Sequence, residues 1–218
     1  MHGGFGMLEK IYSVEDAEFR SYGRIIHGMD IAEIVEAAKQ IEYPAEGSAY
    51  LPSVKEFEEL AIFHEIEEAY YGTLPTQLGY CWGHNQVMNA MEYHSSNEIN
   101  IAVTPFILIL GHTWDVEDMK VDSGKFQAFY VPQGCVLEIY ATTLHFCPCQ
   151  ASEDGFGCVV GLPKGTNVPI DGPAPEQPLF KQNKWVLAHE DNTALIEKGI
   201  VPGITGENYV IQYKKQEG

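Results

Sequence analysis

Residues 89–100 read NAMEYHSSNEIN, and how this stretch is read decides the fold of the rest of the chain. Glu92, His94, Glu98 and Asn100 all sit at even positions, so in extended chain they share one face. Alternate strand residues lie about 6.6 Å apart at their α-carbons. Glu92 and His94 can therefore lean toward one point, which Glu98 reaches from a neighbouring strand after the short SSN step. A solvated face more often carries Lys, Thr and Ser. Two carboxylates held together in a partly buried site repel, and one must take up a proton; a divalent cation removes that conflict. The row predicts strands that line a metal site.

The second informative stretch is YVPQGCVLEIYATTLHFCPC, residues 130–149. Pro132 and Gly134 mark a turn. The strand after it points Glu138 and Tyr140 to one side and His145 to the other, unless a bulge at Ala141, Thr142 and Thr143 corrects the phase. We expect the bulge, because small and β-branched residues tolerate it. His145 then joins Glu92, His94 and Glu98 as a metal ligand, Glu138 becomes a ligand or the base that moves a proton, and Tyr140 hydrogen-bonds substrate. His84 and Asn85 in CWGHNQ, together with Asn100, are the expected substrate-side residues.

Outward from these motifs the texture divides. Residues 1–75 are helical in pattern: Ile31, Ile34, Val35, Ala38 and Ile41 repeat at helical spacing behind Asp30, and Ser53 with Glu56 resembles a capping box opening a helix that Gly72 stops. His64 falls on the side of Phe57, Leu60 and Ala61 and reads as a packed residue. From Thr76 onward short β-like runs are cut by Gly, Pro, Asn and Asp, as in a sandwich or small barrel. Residues 163–178 hold five of the twelve prolines and read as an ordered loop or cover. NTALIEKG suggests a short helix, and NYVIQY an edge strand. The expected architecture is mainly β: a jelly-roll barrel over residues 76–218, with a helical N-terminal extension over 1–75 packed on it as one unit.

Composition narrows the function. Thirteen Lys plus Arg against 31 Asp plus Glu give a net charge of −18, which repels nucleic-acid phosphates and anionic membrane surfaces. No apolar run is long enough to span a bilayer, and MHGGFGMLEK has no basic segment followed by an apolar one, so a soluble, cytoplasmic protein is expected. The five cysteines form no even framework and read as reduced thiols. CPC at 147–149 lacks the second pair of a zinc knuckle, and Cys147 and Cys149 read as small core residues.

The two stretches resemble the motifs of the cupin family. Glu92 stands at the place of the first motif histidine, His94 at the second and Glu98 at the glutamate. PQG at 132–134 resembles the turn of the second motif, with Leu137 where a histidine is usual. MEYH at 91–94 and LHFCP at 144–148 are also similar to ureidoglycolate lyase-like cupins. The broadest likeness, through residues 83–111 and 131–149 and through NKW at 183–185, AH at 188–189 and GEN at 206–208, is to an uncharacterised cupin-like family, a domain of unknown function. The resemblance implies a small barrel. With the ligand row it implies a divalent ion (Mn, Fe, Ni or Zn) and an enzyme that isomerises, or eliminates from, a small hydroxylated or carboxylated metabolite such as a sugar or sugar acid. A non-catalytic cupin that binds or senses such a molecule is the alternative. A small-molecule substrate and a second copy in a homodimer are the expected partners.

Overall fold

Strand alternation is the signal that survives best in the computed structural model, which describes residue 8, residues 10–170 and residues 178–212. β1 (Ile11–Ser13) and β2 (Gly23–Ile26) precede α1 (Ala32–Ala38), β3 (Ser48–Leu51), α2 (Lys55–Glu58) and α3 (Ala61–Tyr71). Then come β4 (Thr76–Gly83), β5 (Ala90–Tyr93), β6 (Glu98–Ala102), β7 (Phe106–His112), β8 (Val121–Asp122), β9 (Gln127–Val131) and β10 (Val136–Ile139). β11 (Thr143–Leu144), β12 (Cys149–Gln150), β13 (Phe156–Pro163), β14 (Leu179–Lys181), β15 (Lys184–His189), α4 (Thr193–Ile196) and β16 (Val201–Thr205) follow.

The strands form three sheets in a mainly β arrangement. One runs β1-β9-β7-β11 with β12 also on β7, the second runs β2-β10-β6-β13-β4-β3, and the third runs β14-β15-β16-β8 with β5 on β15. The first two face each other over a core that includes Leu108, Phe129, Leu137, Ile139, Phe156 and Val160. Parity sorts the faces, as a pleated strand requires. On β13, Val160 enters that core while Val159 packs under the helices with Ile34, Phe57 and Ile66. On β7, Leu108 faces the second sheet, whereas Ile107 and Ile109 meet Leu187 and Ile204 of the third.

The N-terminal segment differs from the expected helical extension: it is woven into the barrel. β1 adds to β9 in parallel, and β2 and β3 supply the two edges of the six-stranded sheet. Short strands of mixed polarity between helical patterns carry too little periodicity to be seen in advance. The expected helix over residues 53–72 is two helices, broken at Leu60, whose backbone is extended at φ −85° and ψ 154°. The Glu58 carboxylate accepts hydrogen bonds from Ser53 Oγ (2.6 Å) and from the Leu78 amide (3.2 Å), so Ser53 is tied to Glu58 and not to Glu56. The break shifts the helical phase. Ile62 and Ile66 become the buried stripe of α3, and His64 is exposed where a packed residue was expected. Gly72, at φ +58°, ends α3 as anticipated.

Gly79 is required by a close approach. A β-carbon there would lie 2.3 Å from the carbonyl oxygen of Leu51 and 2.8 Å from that of Pro52, where the chain leaves β3 across β4. At the other end, α4 is capped by the Asn192 side chain, which accepts from the Leu195 amide at 3.1 Å. The expected edge strand at NYVIQY reduces to a bridge between Val87 and Val210, and Tyr213 and the 171–177 part of the proline-rich loop lie outside the described residues. No described helix is long and apolar enough to cross a membrane.

Candidate metal centre

The three sheets converge on one buried cluster. Glu92 lies on β5 in the third sheet and His94 just beyond its end; Glu98 opens β6 in the second sheet, and His145 follows β11 of the first. Backbone pairing fixes two of the four. The Glu92 amide donates to the His145 carbonyl at 2.6 Å, and the His145 amide donates to the Glu92 carbonyl at 2.9 Å. Side-chain donor atoms of Glu92, His94 and His145 all lie within 4.8 Å of one another. Glu98 Oε2 stands 3.3 Å from Nε2 of both His94 and His145.

Each imidazole is aimed by its other nitrogen. A carbonyl oxygen can only accept, so His94 Nδ1 donates to the Asn183 carbonyl at 2.7 Å and His145 Nδ1 donates to the Thr143 carbonyl at 3.0 Å. Both Nε2 atoms are thereby turned to the cluster, the arrangement that orients metal-binding histidines. His94 Nε2 is buried without a hydrogen-bond partner among the described residues. Asn100 Nδ2 donates to Glu98 Oε1 at 2.8 Å, leaving Oε2 free to face the imidazoles. Two carboxylates and two imidazoles suit Mn, Fe, Ni or Zn, and the orphaned Nε2 is the kind of group that a cation would satisfy.

The charges balance in the ion-free protein. Burial works against charge on both Glu98 and His145, but their mutual attraction outweighs it. Glu98 is held well below the usual carboxylate range, and the His145 imidazolium persists up to about 9. Glu92 is neutralised by Lys184, whose ammonium forms a close ion pair with Oε2. Glu92, His94, Glu98 and His145 would hold a divalent cation in place of the proton that His145 carries here.

A cavity of about 430 Å³ opens from the cluster, lined by Glu92, Glu98, Asn100, His145 and Lys184 together with residues of β3, β13 and α4. Tyr50 and Asn167 meet across it, with Asn167 Nδ2 donating to the Tyr50 hydroxyl at 3.1 Å. Burial, followed by the nearby Glu98 and Glu92 charges, raises Tyr50 far above an ordinary phenol, so it stays protonated. Cys147, expected in the core, lines the cavity beside Cys81. A hydrogen bond between these thiols raises Cys81 and lowers Cys147 from their usual values. Cys149 is buried in the core as expected.

Several sequence-predicted residues are placed elsewhere. No bulge forms at 141–143: β10 stops at Ile139, and a turn closed by the Thr143 amide on the Tyr140 carbonyl (2.9 Å) carries the chain into another sheet. His145 is freed from the parity of Glu138. Glu138 lies opposite Ile99 and Arg24 in the sheet register, on the face turned from the cavity, where Arg24 Nε (2.5 Å) and Asn97 Nδ2 (2.7 Å) hold its carboxylate. Tyr140 does not line the cavity; it borders an outer cleft with Arg20 and Arg24. His84 packs edge-on to Tyr43, with ring centroids 6.4 Å apart. Asn85 braces the CPC loop through the carbonyls of Cys147 and Pro148 at 3.3 and 3.2 Å. Of the three expected substrate residues only Asn100 reaches the cavity.

Asn183 and Lys184 of the NKW triplet carry roles that no local sequence signal marks. Asn183, at φ +54°, offers its carbonyl to His94 and its side-chain oxygen to the Ser95 amide (2.9 Å), while Lys184 holds Glu92. The triplet supports the first motif from far downstream, with 89 positions between His94 and Asn183.

No curated protein matches the chain. Among solved structures, the non-heme α-ketoglutarate-dependent epimerase SnoN from nogalamycin biosynthesis is similar at 13% identity and TM-score 0.40, covering 78% of this chain and 87% of that one. A mutant of Bacillus subtilis oxalate decarboxylase OxdC is similar at 8% identity and TM-score 0.35, over 82% of this chain and 41% of that one. Procruciferin, an 11S globulin from Brassica napus, gives 10% identity and TM-score 0.33, over 67% and 28%. The chain thus spans less than half the length of the last two. The model of one family, described as a domain of unknown function, matches residues 11–209. The chain belongs to that family, DUF4867.

Proposed function

We propose that the protein is a metal-dependent cupin enzyme that isomerises, or eliminates from, a small hydroxylated or carboxylated metabolite. The observation that carries this reading is the convergence of Glu92, His94, Glu98 and His145, with both imidazole Nε2 atoms turned to one point at the end of a cavity. A divalent ion held there would supply Lewis acidity toward adjacent substrate oxygens. The chain supplies the rest. Tyr50, kept protonated, donates a hydrogen bond to developing negative charge on oxygen, and Asn100 fixes the Glu98 carboxylate. Proton movement falls to Glu92 or Glu98, because Glu138 is engaged by Arg24 and Asn97 outside the cavity. The likeness of MEYH and LHFCP to ureidoglycolate lyase-like cupins favours elimination of the two reactions. Elemental analysis of protein purified without chelator tests the reading. About one Mn, Fe, Ni or Zn per chain is expected, and a chain that neither carries such an ion nor is stabilised against heat by adding one refutes it.

A further inference from the structure

Few charged side chains line the cavity. Among the described residues that line it, Lys184 is the one lysine or arginine, and Glu92 and Glu98 are the only carboxylates. A divalent ion held between Glu92 and Glu98 would balance those two carboxylates, leaving the Lys184 ammonium as the uncompensated charge that faces the cavity, at +1. That is opposite in sign to the chain as a whole, at −18. Exposed surface charge is screened beyond about 8 Å at physiological ionic strength, whereas the pocket's own charge acts in a partly dry space at short range. A ligand of charge −1 neutralises it.

A second observation concerns the far wall. Asn167 is buried, lines the cavity, and its Oδ1 has no hydrogen-bond partner among the described residues. Its Nδ2 is already committed to Tyr50. A buried acceptor left unpaired is costly, so a ligand that fills the cavity should bring a donor there. The volume, about 430 Å³, is at the small end of ligand sites, which run from about 300 to 1,000 Å³.

We propose that the substrate class is a polyhydroxy carboxylic acid, a sugar acid and not a neutral sugar, with its carboxylate on Lys184 beside the ion and a hydroxyl donated to Asn167 Oδ1. The inference rests on the metal reading above. Lys184 keeps Glu92 oriented through Oε2 while presenting its remaining N–H groups to the ligand, since an ammonium has three donors.

The test is titration calorimetry on the ion-loaded full chain with a panel of C4–C6 aldonates and uronates, each against its matched alditol, with ion content measured on the same samples. At least one acid should bind ten times or more as tightly as its alditol. Lys184→Gln should reduce that ratio below threefold, Lys184→Arg should restore most of it, and Asn167→Ala should weaken acid and alditol alike. If Lys184→Gln loses the ion, the Lys184→Arg protein and the wild-type ratio decide. Ion-loaded protein that binds acid and alditol equally, or binds no member of the panel, overturns the inference and leaves the metal reading standing. Protein that takes up no ion overturns both.

Discussion

Glu138 is the residue on which sequence and structure make opposite demands, and Glu138→Ala separates them. A carboxylate that moves a proton at the ion must face the cavity; in the structure it is tied to Arg24 Nε at 2.5 Å and to Asn97 Nδ2 at 2.7 Å. The two partners do not weigh equally. The Arg24 side chain is 60% exposed, so it regains water when Glu138 is removed, and an exposed pair of this kind is worth about 0–1 kcal/mol. The Asn97 amide is part-buried and its Oδ1 is already bound to the Ala141 amide at 2.9 Å. Leaving its Nδ2 unpaired costs about 1–3 kcal/mol. The expected loss is therefore about 2 kcal/mol, which for a chain of this size lowers Tm by roughly 4–8 °C. Ion affinity should stay within about twofold, because no ligand is touched. Differential scanning calorimetry and metal titration read the two effects independently. An unchanged Tm with ion affinity reduced tenfold or more would refute the placement of Glu138 outside the site.

Three further outcomes are expected. Glu98→Gln should keep the fold, since the amide oxygen still accepts from Asn100, but should lower ion affinity by at least about 10–100-fold, the range for losing even a supporting group; equal metal content by elemental analysis would contradict it. Gly79→Ala should destabilise by at least about 2 kcal/mol, because its β-carbon meets backbone carbonyls that have no side-chain freedom to yield, and a melt within 2–3 °C of wild type would argue that β3 is placed wrongly. His112 is stacked between Tyr22 and Trp114 at 4.1 and 4.0 Å, and burial lowers its pKa against a smaller opposing effect of Asp115. The unfolded chain then binds the proton more readily, so stability is lost as pH falls from about 6.5, the ordinary imidazole value, through the lower folded value. Stability curves from pH 8 to 5 should flatten in His112→Phe, and identical slopes in the two proteins would count against the reasoning.

What was legible in the sequence is what alternation encodes. Within β6, Glu98 and Asn100 share a face as their even numbers require, and Ile99 and Ile101 pack under the helices. Glu98 does come from another strand after the SSN step, as expected, but β5 and β6 belong to different sheets, so that step is a crossing between sheets. Parity could not be carried across Ala141, Thr142 and Thr143 for the same reason, because a tight turn and a bulge draw on the same small residues while only one changes sheets. Arg24 and Lys184 were invisible in their roles. Each is a single charged residue far from its partner in sequence, 114 positions for Arg24 and Glu138, and nothing local distinguishes such a residue from a solvated one. The strands of the first 75 residues were hidden by stronger helical patterns around them.

The meeting of three sheets at one cluster also sets an order on folding. β5 has its strand partner in β15, Glu92 its counter-charge in Lys184 and His94 its acceptor in Asn183, so a chain still being synthesised can pair the Glu92 backbone with His145 but leaves the Glu92 charge uncompensated and His94 unaimed until residues 183–189 have emerged. Glu98 and His145, 47 positions apart, are joined earlier through the sheets on either side of the core. Closing contacts of such long sequence separation is slow. If the cluster takes an ion as proposed, its uptake followed in time during refolding would report the last step of assembly and not collapse.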